Sequence, residues 1–376
     1  MARARVLVTG GAGFIGSHLV DTLLRDGYRV RVLDALLPQV HPHGSPEYLD
    51  KEAELRIGDV RDADAVRAAL QGSDIVVHLA AAVGVGQSMY ELNHYCAVNV
   101  MGTACLLEAM VRDRSTRPHR IIVASSMSIY GEGLYQCDAC GPQTPGVRSR
   151  AQLARRQWAM ACPKCGSELA ARPTPENKAV VPTSVYAINK RDQEDMVLTV
   201  GRSLGIPAVA LRFFNVYGDR QALSNPYTGV AAIFSSCLLN GHRPPVFEDG
   251  RQARDFVHVS DVVQACMLSI QSESVADEVF NVGTGTPTSL MRLLELLRRE
   301  IPSGRNLEPE ILDRFREGDI RACYADISHA RQRLGFEPRV GLEQGIGALA
   351  DWVASQASVD RSQDALQELD RHRLIT

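Results

Sequence analysis

Through the first half of the chain, short runs of β-branched residues take turns with longer amphipathic stretches: "RVLVTG", "FIGSHLVDTLLRDG", "RVRVLD", "ELRIGDV", "DADAVRAALQG", "DIVVHLAA", "ELNHYCAVNVMGTACLLEAMV" and "RIIVASS". That alternation predicts parallel strands buried on both faces and joined by crossover helices, so the expected fold is α/β with a Rossmann-type, doubly wound parallel sheet. Between Tyr130 and about Pro182 the pattern gives way to Gly, Pro, Arg and four cysteines, which reads as an insertion into the domain rather than a linker between domains. Regular structure is expected to resume with a helix from about Ser184 to Leu204 and a strand in "PAVALRFFNVYG". Shorter, less regular elements follow, consistent with a smaller C-terminal α/β lobe. The last stretch, "SQASVDRSQDALQELDRHRLIT", predicts a polar, peripheral helix. The expected division is residues 1–131 with 182–214 for the sheet domain, 132–181 for the insertion, 215–355 for the lobe and 356–376 for the tail.

Composition narrows the function classes. At 376 residues, 45% hydrophobic and 23% charged, the chain can bury one large core or two modest ones. A net charge of -3 supplies no broad cationic field, so nucleic acid is not an expected partner. No apolar run approaches the ~18 residues of a membrane span, and "MARARVLVTGG" runs into a strand without the apolar core of a leader, so a cytoplasmic protein without membrane contact is expected.

The stretch "VLVTGGAGFIGSHL" places Gly10, Gly13 and Gly16, with Phe14 and Ile15, between a strand and a helix. Glycines there allow a tight turn and close approach of a pyrophosphate to the helix N-terminus. The next strand ends in "VLD", where the Asp34 carboxylate can take the adenosine ribose hydroxyls and repel a 2'-phosphate; this favours NAD over NADP, with Arg29 and Arg31 nearby as the opposing signal. In "IGDVRD", Asp59, followed by Val60, is the candidate for the adenine edge. The competing reading is a glycine-rich turn with no ligand.

Two further signals lie far apart. "VASSMSIYG" closes a strand with hydroxyls, and "SVYAINK" presents Tyr186 and Lys190 on one face of a helix. An ammonium and a nicotinium ring beside a phenol stabilise phenolate, so Tyr186 is expected to have a lowered pKa and to take a proton from an alcohol as hydride leaves the same carbon. Taken alone, Tyr-x-x-x-Lys is more often a solvated helix face.

Together these segments resemble an extended short-chain dehydrogenase/reductase of the nucleotide-sugar epimerase and dehydratase group, over nearly the whole chain outside the cysteine insertion. The resemblance implies that Ser126, Tyr186 and Lys190 are catalytic. It implies that "HLAA", with His78, Leu79, Ala80 and Ala81, lies beside the nicotinamide together with Asn99, and that Asn215, Arg254 and Arg316 meet the substrate diphosphate. The bland alternative is that His78 and Asn99 satisfy buried backbone groups and that the arginines form surface pairs. Val83 to Ser88, including Val85 and Ser88, and Asn225 to Thr228 are expected to line the sugar pocket. Family dehydratases carry an Asp-Glu pair directly after the catalytic hydroxyl; Met127 and Ser128 stand there in this chain. Dehydration is thereby disfavoured and 4-epimerisation through a 4-keto sugar favoured, with a nucleotide-sugar ketoreductase as the rival. A non-catalytic dinucleotide sensor would have no need of Ser126, Tyr186 and Lys190 together. The phrases "AAAVGVGQSMYE", "ASSMSIYGEGLY" and "RFFNVYGDRQALSNPYTGVAAIF" are similar to those of 4-epimerases acting on dTDP-L-rhamnose, which makes a dTDP-sugar the favoured substrate. Homodimerisation through the helices around Glu91 to Met110 and Val185 to Val200 is the habit of the family.

Cys137-x2-Cys140 and Cys162-x2-Cys165, with 21 residues between the two pairs, give the ligand count and spacing of a closed tetrahedral zinc ribbon. The metal is expected to be structural, because a catalytic zinc needs an open position and the hydride chemistry already has its acid and base. As Tyr130 precedes the insertion and Tyr186 follows it, the ribbon is expected near the active-site mouth, as a lid or an oligomer contact. The other five cysteines, Cys96, Cys105, Cys237, Cys266 and Cys323, read as small core residues.

Overall fold

The computed structural model describes residues 4–227, 229–316, 318–356 and 359–376. Seven parallel strands form one sheet, in the order Glu54–Ile57, Arg29–Asp34, Arg5–Thr9, Ile75–His78, Arg120–Ser126, Ala208–Phe213 and Glu278–Val282. The registers Thr9↔His78 and Ser126↔Phe213 align the carboxyl ends of the central strands on one rim. Central strands such as "RVLVT" and "AVALRF" are buried on both faces, which is why they read as continuous apolar runs. One face is covered by the helices Phe14–Arg25 and Val259–Gln271, the other by Ala63–Leu70, the helical run Leu92–Arg112 and Val185–Leu204.

Two expectations about the ends of the chain need correction. The seventh strand and the helix Val259–Gln271 lie inside 215–355, yet they belong to the sheet domain: Phe280, Val282, Val262 and Cys266 join the core of Val6, Leu19 and Val209. The five residues "EVFNV" gain a complete ladder by pairing beside Ala208–Phe213. The remaining lobe has its own core around Leu238, Leu293, Leu297 and Ile346. The tail is not peripheral either, because its helix Ser362–Arg371 buries Ser362, Ala365 and Leu369 against the rest of the molecule.

The run Leu92–Arg112 has the length and, with a mean hydropathy of 1.2, the apolarity of a membrane span, although polar residues interrupt its apolar stretches. Its inner face carries Asn99 and Thr103 beside Leu106 and Met110, all buried against the sheet domain, and so it packs as a core-layer helix.

The insertion folds into a three-stranded antiparallel sheet of Gly141–Gln143, Leu134–Cys137 and Ala170–Arg172, with a small core of Tyr135, Met160 and Leu169 that reaches Ala322 and Ala253 of the lobe. Arg148 fastens it: its guanidinium donates to both Glu248 oxygens at 2.9 and 2.8 Å, with both side chains 1% exposed. Contrary to expectation, none of the described residues of the insertion reaches the large cavity described below. The chain leaves the sheet at Tyr130 and packs on the lobe, held by the backbone pairing of Thr174 with Tyr324 and Ala325.

Candidate active site

A cavity of about 600 Å³ runs along the carboxyl rim of the sheet and into the lobe. At its first end the glycine turn is dictated by contact. Gly10 has φ +71, and a Cβ at Gly16 would stand 2.2 Å from the Gly10 carbonyl oxygen. Gly13 caps the first helix without a side chain, leaving the helix N-terminus open to an anion. Asp34 accepts from the backbone N–H of Ala12 at 3.0 Å and of Leu36 at 2.9 Å, which fixes its carboxylate on the cavity wall. Asp59 also lines the wall, clamped by Arg61 at 2.9 and 2.6 Å; that hydrogen bond, above all, holds its carboxyl below the usual range. Arg31 no longer argues against NAD, because its guanidinium is spent on Glu54 and on the carbonyls of Ala69 and Gln71, while Arg29 opens the strand at the end opposite Asp34.

In the middle of the cavity stand Ser126, Tyr186 and Lys190. Ser184 caps the helix Val185–Leu204 by accepting from Ala187 N at 3.1 Å, which puts Tyr186 and Lys190 in its first turns. The Tyr186 phenol is hydrogen-bonded to Ser126, whose hydroxyl also receives Ser128 Oγ at 2.9 Å. Lys190 Nζ donates to the Ala124 carbonyl at 2.9 Å. Burial works against charge on both groups: it pushes Tyr186 up to about 12, partly offset by the Ser126 hydrogen bond, and Lys190 down to about 7. The expected lowering of the phenol is therefore not a property of the protein groups alone.

At the far end Arg254 and Arg316 face the cavity. Arg254 is anchored to the carbonyls of Ala253 and Ile320 at 2.9 and 2.8 Å, and Arg316 is paired with Asp319 at 2.9 Å and stacked over Phe247. On the same wall Asn215 Oδ1 and Gln252 Oε1 are buried without a protein partner, a costly arrangement that a polar ligand would relieve.

The NAD dependent epimerase/dehydratase family model matches residues 6–156 and 159–283. The chain belongs to that family. It is 37% identical over 355 residues to the dTDP-L-rhamnose 4-epimerase of Burkholderia thailandensis, covering 94% of this chain and 95% of the relative. It is 33% identical to a putative UDP-glucose 4-epimerase of Methanocaldococcus jannaschii, with 93% and 98% covered. Among solved structures it resembles the UDP-glucose 4-epimerase of Thermotoga maritima with UDP-glucose (TM-score 0.74, 31% identity, 93% and 98% covered). It also resembles the UDP-glucuronic acid 4-epimerase of Bacillus cereus in complex with UDP-glucuronic acid and NAD (TM-score 0.75, 27% identity, 93% and 98% covered). With this family the chain is an enzyme of the isomerase class.

Most of the residues expected from the family motifs converge on the cavity: Leu79, Ala80, Ala81, Val60, Val85, Met127, Ser128 and Asn215 all line it. Three do not. Asn99 is buried in the π-helical turn Cys96–Met101 and holds Ala82 by both backbone groups, at 2.8 and 3.1 Å, so it shapes the loop instead of touching the cavity. Ser88 is fully buried and donates to the Val85 carbonyl at 2.7 Å, which likewise fixes that loop. His78, pushed down to about 3 chiefly by burial, is a neutral pin between Thr9 and Thr103. Of the expected sugar segment, Thr228 lies outside the described residues. Sequence reasoning missed the support under the catalytic strand end: Glu194 receives Ser125 Oγ at 2.7 Å and pairs with Arg212 at 2.7 Å, while Arg212 donates to the Tyr130 hydroxyl at 2.8 Å. The only signal was Glu194 one turn beyond Lys190 on the same helix face. The tail helix was expected, but as a peripheral one; that its Leu366 and Leu369 line the cavity was not.

Proposed function

We propose that the chain is an NAD-dependent nucleotide-sugar 4-epimerase that interconverts dTDP-L-rhamnose and dTDP-6-deoxy-L-talose through a transient 4-keto sugar. The observation that carries this reading is one continuous cavity with a glycine-turn anion site at one end, Ser126, Tyr186 and Lys190 in the middle, and Arg254 and Arg316 at the other. The relative from Burkholderia thailandensis supports the choice of sugar and nucleotide. Met127 and Ser128 leave no acid pair beside the catalytic hydroxyl for elimination.

NAD fits the turn, where side chains at Gly10 and Gly16 would collide with backbone and Asp34 faces the wall; when bound, it supplies the acceptor and donor of the C4 hydride. Tyr186 takes the proton of the C4 hydroxyl and later returns it, and Ser126 holds the same oxygen by a hydrogen bond. Lys190, one turn along, adds positive charge beside the phenol when protonated. Arg254 and Arg316 grip the diphosphate, so that the keto sugar can turn about its glycosidic link and present its other face without leaving.

The four cysteine sulfurs lie within 4.8 Å of one another, close to the sulfur spacing of about 3.8 Å that tetrahedral Zn–S bonds of about 2.3 Å impose. All nine cysteines are unpaired. We read this cluster as a closed, structural zinc site remote from the chemistry. Exposed Leu92, Met101 and Ile188 on the outer faces of two neighbouring helices support a homodimer packed through them.

Purified protein incubated with dTDP-L-rhamnose and no added cofactor should yield a second epimer, seen by NMR as a changed coupling at the C4 proton. Tyr186→Phe should lower the rate by roughly 10²–10⁴-fold while the dinucleotide is retained. Turnover only on addition of reduced cofactor and a keto sugar would instead make the protein a reductase.

A further inference from the structure

The tail helix runs along the wall of the cavity and is tied at both ends. Its entry is tied to the lobe, where Cys237 Sγ meets Ser362 Oγ at 3.5 Å at the end of the helix Val230–Leu239, whose Ile233 and Phe234 line the far part of the cavity. Its exit is tied beside the anion grip by a two-way backbone pairing of Thr376 with Phe315, each N–H to the other carbonyl at 3.1 Å. Between these ties the stripe Ser362, Ala365, Leu366 and Leu369, at helical spacing, faces the cavity.

Contacts locate the second half of this stripe at the sugar end. The catalytic Tyr186 packs against buried Tyr95. The Tyr95 hydroxyl lies 2.8 Å from where a Cβ on Gly84 would stand, and Leu369 Cδ2 lies 3.1 Å from where a Cβ on Gly86 would stand. Leu369 therefore sits over the loop that abuts the catalytic phenol.

The polar side chains of this region are consumed by one another. Gln87 receives the Tyr95 hydroxyl at 3.0 Å and Gln39 at 3.2 Å, and donates to Glu91 at 3.1 Å; Asn225 Oδ1 receives Gln39 and the Tyr227 N–H, each at 3.1 Å. Among the side chains that face the cavity here are Val83 and Val85, 53% and 37% exposed, from the loop, and Leu366 and Leu369 from the tail, alongside Asn225 and Tyr227. Val83 and Val85, aliphatic side chains held exposed inside a cavity, gain free energy only when apolar substrate surface covers them, and Leu366 and Leu369 complete that apolar lining.

We infer that the C-terminal helix is the specificity wall of the sugar subsite, and that Leu366 and Leu369, opposite Val83 and Val85, recognise the C6 methyl of a 6-deoxyhexose. This rests on the 4-epimerase reading above and adds the element that distinguishes a deoxysugar from its hydroxylated counterpart. A hydroxyl on C6 set among these four aliphatic side chains would find no hydrogen-bonding partner in them and lose its hydration.

The test compares dTDP-L-rhamnose with dTDP-L-mannose, which differ only in the C6 hydroxyl, using dTDP alone as a probe of the nucleotide end. Affinities are measured by calorimetry on the full chain with its retained dinucleotide. The parent is expected to prefer the deoxysugar by roughly tenfold or more. Leu366→Asn and Leu369→Asn should bring that ratio towards one while dTDP binds as before, and the milder Leu366→Ala should lower it part-way. Equal affinities in the parent, or a ratio that survives all three substitutions with dTDP binding intact, would overturn the inference. A parent that prefers the deoxysugar but does not epimerise it would sink the proposed reaction and leave the wall standing, whereas a parent that binds neither sugar sinks both.

Discussion

The cysteine insertion and the C-terminal tail are both additions to the sheet domain, and they are fastened by different physics. The insertion is held from within. Arg148 and Glu248 form a bidentate pair out of contact with water, and Arg321 ties Glu248, Asp249 and the Glu132 carboxylate into the same network. The tail is held at its rim: Arg314 pairs with Asp370 and His242 with Asp360, in each case with at least one partner well exposed, and Tyr90 stacks on His372. A segment locked by buried charge is a brace. The insertion braces the lobe next to Arg254, since Ala253 belongs to its core, while the tail is a wall whose charged fastenings lie at the surface.

The largest expected effect comes from breaking the brace. Glu248→Gln breaks the bidentate pair and leaves the buried Arg148 guanidinium with only Glu132, 3.8 Å away, as counter-charge, and should cost up to about 3–5 kcal/mol in chemical denaturation. Because the loss lies next to Arg254 and not at Tyr186, the surviving folded protein should show a raised KM for the nucleotide sugar with little change in kcat. An equal fall in both would place the network in the chemistry and defeat the comparison.

The test of the proposed zinc site ranks second. Protein as isolated should carry one zinc per chain by elemental analysis. Chelation, or Cys162→Ser, should expose the insertion to proteolysis and raise KM in the same sense as Glu248→Gln, while the retained dinucleotide and the tail stay protected. Intact protein lacking zinc, with an undisturbed KM, would leave the cysteines without the structural role assigned to them.

Lys190 sharpens the contrast by supplying a buried cation with a carbonyl and no carboxylate beside it. Its pKa falls from the ordinary 10.5 to about 7 through burial. Between those values the unfolded chain holds the proton and the folded chain does not, so stability rises with pH across that window. The cost of the charged ammonium is complete below about pH 7 and fades towards pH 10.5. Lys190→Met, inactive or nearly so, should therefore melt higher than the parent at pH 6, with cofactor content matched, and the gap should close as pH rises. A gap independent of pH would mean that packing, not desolvation, separates the two.

How much of this was legible in the sequence follows from the range over which each feature is encoded. Gly10, Gly13 and Gly16, the Tyr186–Lys190 spacing and the paired cysteines are set within a few residues, so their chemistry could be read directly. Asn99 and Ser88 sat in the right segments, but their roles depended on whether a side chain points at the cavity or at the backbone of its own loop, which a π-helical turn decides for Asn99. The strand Glu278–Val282 and the tail were misplaced because a five-residue strand and one amphipathic turn carry no address. Only pairing with Ala208–Phe213 and docking on Gly86 give them one. The docking of the insertion was illegible for the opposite reason: sequence proximity to Tyr130 and Tyr186 allowed a lid, while the buried Arg148–Glu248 pair, 100 residues apart, fastens it to the lobe and none of its described residues lines the cavity.

The smallest effect tests the tail's fastening. Arg314 and Asp370 are 40% and 60% exposed, so the solvent screens their attraction and ordering two long side chains offsets part of it. Asp370→Asn should cost less than about 1 kcal/mol of global stability. Its effect should shrink further in high salt, where exposed pairs are screened within about 10 Å at 0.1 M and less above it. The same substitution should nonetheless loosen the end of the helix that carries Leu369, so proteolysis within the tail should quicken several-fold at low salt and return towards the parent rate when a dTDP-sugar fills the cavity. If the sugar gives no protection, the helix does not close over it; if Asp370→Asn costs as much as Glu248→Gln, the tail is a second brace and the distinction between the two additions disappears.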